Sequence, residues 1–72
     1  HKGYHDEARR ELRRARALGA DVATVASRLA ELALLCGEPT AARDEAAAWC
    51  AAAPHDGRAW LVCAASAQLA AL

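Results

Sequence analysis

Landmark residues of this chain recur at a spacing of 34. Gly3 returns as Gly37, Ala8 as Ala42 and Ala20 lines up with Pro54. A fixed period between 20 and 50 residues is the mark of stacked supersecondary units, each of which relies on its neighbours to cover an apolar face. With 72 residues there is room for about two such units. The chain is therefore one small domain, near the size at which a lone core becomes marginal.

The residues inside each unit are helix formers. Alanine supplies 22 of the 72 residues, so the high apolar content does not translate into a large core. The bigger apolar side chains are nine Leu, three Val, two Trp and one Tyr, with no Ile, Phe or Met. Alanine, leucine, arginine and glutamate all favour the helix, and β-branched residues are scarce. The expected fold class is all-α: antiparallel helix–turn–helix repeats with four helices.

Punctuation places those helices. A first helix is expected over residues 4–18, with Asp6 and Glu7 in its first turn and Gly19 as its stop. Leu12 with Ala8 and Ala15 gives it a narrow apolar stripe. A second starts after Asp21, a good N-cap, and ends before Gly37. Val22, Val25, Leu29, Leu32 and Cys36 form its main stripe, with Ala26, Ala30 and Ala33 as a strip of small residues alongside. The third opens at Pro39, favoured at the first helical position, and stops before Pro54. Asp56 caps a fourth that carries Trp60, Cys63 and Ala67 on one line and runs to Leu72. Loops of two to four residues make successive helices antiparallel.

The spacing Trp60-x2-Cys63-Ala64-x2-Ala67, together with Ala42-x3-Ala46 and Pro54, resembles the signature of the tetratricopeptide (TPR) family. The turn Gly3-Tyr4-His5-Asp6-Glu7-Ala8 is similar to the family's entry into its second helix. The resemblance covers essentially the whole chain. It implies a single domain over residues 1–72: helix B of one repeat (4–18), a complete repeat (22–53) and helix A of the next (57–72). Ala33 and Ala67 stand where the family has a tyrosine, Ala46 where it has a large aromatic and Cys63 where it has leucine, which thins the core. Trp60, the largest side chain on the fourth helix, is expected to insert between helices two, three and four, with Trp49 a second core filler.

Other chemistries find less footing. Residues 1–18 net +3 and residues 19–72 net −3, so the overall charge is zero. Arg9, Arg13 and Arg16 align on the first helix and offer a face for nucleic acid or phosphate. The competing reading is a solvated back steadied by Asp6–Arg10, Glu7–Arg10 and Glu11–Arg14 pairs at helical spacing. No aromatic is interleaved with these arginines. Cys36, Cys50 and Cys63 with His1, His5 and His55 show no metal-ligand spacing, so no metal or other cofactor is expected. The cysteines read as small buried hydrophobes, with Cys50 and Cys63 near enough across the turn to raise a disulfide. Ser27 and Ser66 have no histidine close in the repeat and no glycine loop cradles phosphate, so no catalytic residue is assigned.

What remains is the inner face that the resemblance implies. In the family, first helices line a concave groove that holds a peptide or helix. Carried onto this chain, that face comprises Thr24, Ser27, Arg28, Glu31, Leu34, Leu35, Arg58, Leu61, Ala65, Gln68 and Leu69. Ser27 and Glu31 occupy positions at which some members clamp a C-terminal carboxylate with Lys and Asn. The floor of Leu34, Leu35, Leu61 and Leu69 suits an amphipathic helix or an extended apolar segment. The expected job is a protein-binding scaffold. The alternatives are a dedicated chaperone, similar to those of bacterial type III secretion, that holds a subunit helix, and a nucleic-acid-binding regulatory domain. The fourth helix spreads Leu61, Val62, Cys63, Leu69 and Leu72 around more than half its circumference. One flank is therefore expected to stay open to another copy, a partner subunit or further chain. Eight Arg to one Lys beside so much Ala points to a bacterial source. The lack of an initiator Met, a signal segment or a long apolar run points to a cytoplasmic fragment that makes no use of a membrane.

Overall fold

The computed structural model describes residues 2–72, with side chains from Gly3 onward. It contains four helices and, among the described residues, no strand: α1 (Lys2–Ala17), α2 (Val22–Leu35), α3 (Pro39–Ala52) and α4 (Gly57–Ala70). No helix is long and apolar enough to cross a membrane. The helices form a slab of 27 × 27 × 13 Å in which α2 touches all three others.

Local chemistry sets the boundaries. Two helices close with the same device: after α1 the N–H of Gly19 donates to the Arg16 carbonyl and that of Ala20 to Ala15, and after α2 Gly37 donates to Leu34 and Glu38 to Ala33. These paired bonds wind the last turn back on itself and need a left-handed residue, supplied by Gly19 at φ +98° and Gly37 at φ +72°. The Asp21 carboxylate caps α2 by accepting from Thr24 N at 3.0 Å and Thr24 Oγ1 at 2.8 Å. Asp56 caps α4 by accepting from Arg58 N at 3.0 Å. Pro39 stands at the start of α3, where its missing N–H costs nothing. Because α1 already starts at Lys2, Asp6 and Glu7 sit beyond its first turn.

The core is a seam of small residues closed by one large ring. Ala26, Ala30 and Ala33 of α2 and Ala42 and Ala46 of α3 are all fully buried or nearly so, which lets the two helices approach closely. Val25 and Leu29 of α2 are buried as well. Trp49, 5% exposed, fills the junction with Ala26, Cys50 and Ala59, flanked by Val62 and Cys63.

The expectation that Trp60 fills this core is wrong: its side chain is 55% exposed. One 34-residue step upstream, Trp60 corresponds to Ala26, which faces α3. The helix that would cover Trp60 in the same way is not among the four. Its indole instead lies over the preceding turn, donating from Nε1 to the Pro54 carbonyl at 2.9 Å.

Candidate protein-binding face

The face begins with an ion pair. Glu31, half-buried on α2, accepts from Arg58 Nη2 on α4 at 3.0 Å and so links the two helices that supply all the groove positions. Around this tie the face is apolar and open. Leu35 is 72% exposed, Leu61 71% and Leu69 48%, while Leu34 is half-buried. Ala65, Gln68, Arg28 and Thr24 are exposed. Ser27 is half-buried and donates back to the Thr24 carbonyl at 2.8 Å, which occupies its hydroxyl within the helix.

Beside the face, a cleft of about 500 Å³ opens between α1 and α2. Thr24, Arg28, Glu31 and Leu35 line its α2 wall, so four of the groove positions meet there. The remaining seven do not line it. Its other wall is Tyr4, Ala8, Glu11 and Leu12 of α1, none of which the groove spacing identifies. Tyr4 is 68% exposed and sets its ring edge-on to His5, with centroids 5.8 Å apart. A lone, exposed tyrosine at the start of a helix rich in arginine and alanine was the available signal for this wall.

The arginines of α1 do not form the expected pairs along their own helix. Arg9 Nη1 meets Glu38 Oε2 at 3.0 Å, and Arg16 forks onto both oxygens of Glu45 at 2.9 and 3.4 Å. The partners are seven residues apart on each side, so α1 and α3 run in the same direction. The local pairs Asp6–Arg10, Glu7–Arg10 and Glu11–Arg14 are not formed among the described residues. The hydrogen bond from Arg9 to Glu38 raises the guanidinium's pKa above its ordinary value, against the opposing effect of burial. Two of the three aligned arginines are thus consumed in holding α1 to α3.

The cysteines are free thiols, with Cys50 buried. Burial pushes the Cys50 thiol up, and the adjacent Cys63 adds to the shift. Among the described residues no three His, Cys, Asp or Glu side chains gather into a cation site. His1, one of the three histidines weighed for a metal, lies outside the described residues. Ser66 is fully buried, and its hydroxyl has no hydrogen-bond partner. Comparison with protein-family models, curated proteins and solved structures yields no match for this chain.

Proposed function

We propose that this chain is a TPR-type solenoid segment that binds another protein, working in the bacterial cytoplasm without catalysis or cofactor. The ligand is an amphipathic helix or an extended apolar peptide laid across α2 and α4. The observation that carries this reading is the exposure of Leu35, Leu61 and Leu69 on two helices tied together by Arg58–Glu31. Exposed leucines rimmed by charged and polar side chains suit a groove for an apolar stripe, with the spacing of its two helices set by their common packing on α3. Engagement of Arg9 and Arg16 with Glu38 and Glu45 weighs against a nucleic-acid face on α1, because a neutralised arginine releases no phosphate counterion on binding.

The test is affinity capture from the native host with quantitative mass spectrometry, using four baits. Leu35→Glu and Leu61→Glu are expected to lose the partner by about tenfold or more, since a buried unpaired carboxylate costs well over 1.4 kcal/mol. Arg13→Glu, on an exposed part of α1, is expected to capture it as the parent does. All four baits should show the same helical circular dichroism. Loss on Arg13→Glu with retention on both leucine variants would move the binding surface to α1.

A further inference from the structure

The three cysteines divide into a pair and a single residue. Cys50 lies in the buried cluster with Ala26, Trp49 and Ala59, and Cys63 packs against that cluster from α4. Helical spacing sets the two opposite one another. Ala46 and Cys50 are one turn apart on the buried face of α3, while Cys63 is one turn beyond Ala59, the α4 residue of the cluster. The two thiols lie within hydrogen-bonding reach of each other. Cys36 stands apart, just after α2. From Pro39, at the same end of α3 as Cys36, to Cys50 is eleven residues of helix, about 16 Å along the axis.

We infer that Cys50 and Cys63 are a reversible redox pair, oxidised by a small-molecule disulfide to an internal disulfide that pins α4 to α3. Exposure assigns the order of events, since Cys63 is half-buried and Cys50 is 7% exposed. Cys63 gives its proton to water, and its sulfur attacks one sulfur of the small disulfide. That S–S bond breaks, and one thiolate leaves and is protonated. Cys50 then loses its proton, and its sulfur attacks the Cys63 sulfur of the mixed disulfide and expels the second thiolate. Two protein thiols have lost two electrons, and the small disulfide has been reduced to two thiols. Apolar burial holds Cys50 protonated and keeps it out of the first step. The second step needs the neighbouring sulfur and no access from solvent.

The element that such a bond changes most is α4. It buries two side chains, Ala59 and Ser66, against four on α3 and five on α2. Local opening is cheapest where few side chains are buried, so α4 leaves α3 more readily than α3 leaves α2. Cys50 and Cys63 are thirteen positions apart, and joining them closes a short loop around the turn after Ala53. The closed loop removes the open conformations in which α4 swings away. Because α4 also carries Arg58, Leu61 and Leu69, oxidation fixes one wall of the α2–α4 face, although the redox pair itself needs no ligand there.

The test oxidises the folded chain with glutathione disulfide, then counts free thiols by alkylation in denaturant and intact mass spectrometry. The oxidised parent is expected to keep one alkylatable thiol, mapped to Cys36, and to regain all three in dithiothreitol. Cys63→Ser is expected to form no internal disulfide and to leave Cys50 alkylatable. Amide hydrogen exchange in α4 of the parent should slow by about tenfold or more on oxidation, and the thermal midpoint should rise by about 10 °C. Neither change is expected in Cys63→Ser, and Cys63→Ala stands in if serine costs the chain its helical circular dichroism. Three free thiols in the oxidised parent would overturn the inference. So would a bond that includes Cys36 or joins two chains, or exchange in α4 that does not slow.

Discussion

At the scale of single residues, two tryptophans eleven positions apart have opposite roles. Trp49 sits where α2, α3 and α4 meet and is 5% exposed. Trp49→Ala is expected to cost about 3–5 kcal/mol, which in so small a core removes the cooperative thermal transition. Trp60→Ala should cost about 1 kcal/mol, the scale of its one hydrogen bond to the Pro54 carbonyl. Thermal melts by circular dichroism separate the two, and the reverse order of stability would remove Trp49 from the centre. Ser66 offers a gain. A hydroxyl that is fully buried and has no partner has lost its water without replacement. Ser66→Ala should therefore raise stability by about 1 kcal/mol in urea titration, and a loss of that size would mean the hydroxyl is satisfied in solution. The pattern around Trp60 was legible as a repeat landmark. Which side of the helix would be covered was not, because that depends on a neighbouring helix whose presence spacing alone does not reveal.

At the scale of elements, the most legible features were those made by a few adjacent residues. Asp21, Asp56, Pro39, Gly19 and Gly37 each act within one turn, so their chemistry fixes helix ends without knowledge of the fold. The ion pairs show the opposite case. The i, i+4 spacing pointed Arg10 and Arg14 toward acids on their own helix, yet Arg9 and Arg16 find Glu38 and Glu45 across the slab at a separation of 29 residues. Leu35, Leu61 and Leu69, which the spacing assigns to an open face, are exposed, whereas the spacing gave no sign of Tyr4, Ala8, Glu11 and Leu12 as the α1 wall of the neighbouring cleft.

Asp21 makes its own prediction about pH. Hydrogen bonds from the Thr24 hydroxyl and then the Thr24 N–H hold its carboxyl below the usual carboxylate range. A lowered folded-state pKa stabilises the protein above the unfolded value of about 4, and that contribution disappears as pH falls through the folded value. Asp21→Asn keeps an acceptor at the N-cap but does not titrate. The parent should therefore lose melting temperature relative to Asp21→Asn as pH drops below about 4, with a constant difference above it. Parallel curves from neutral pH to pH 2 would show that the cap is not linked to this titration.

At the scale of the whole molecule, the chain is a finished helix pair between two half-covered helices. Five buried side chains lie on α2 and four on α3, against two on α4. On α1 the only buried side chain among the described residues is Arg9. Stability should be distributed accordingly, since local opening is cheapest where buried apolar contacts are fewest. Native-state amide hydrogen exchange by NMR in dilute solution reads this distribution residue by residue. The slowest amides are expected in α2 and α3, with Ala26 to Ala33 and Ala42 to Cys50 exchanging only on global unfolding, and with α1 and α4 opening first. Slowest exchange in α1 or α4, or equal protection of all four helices, would contradict a molecule built around the α2–α3 pair.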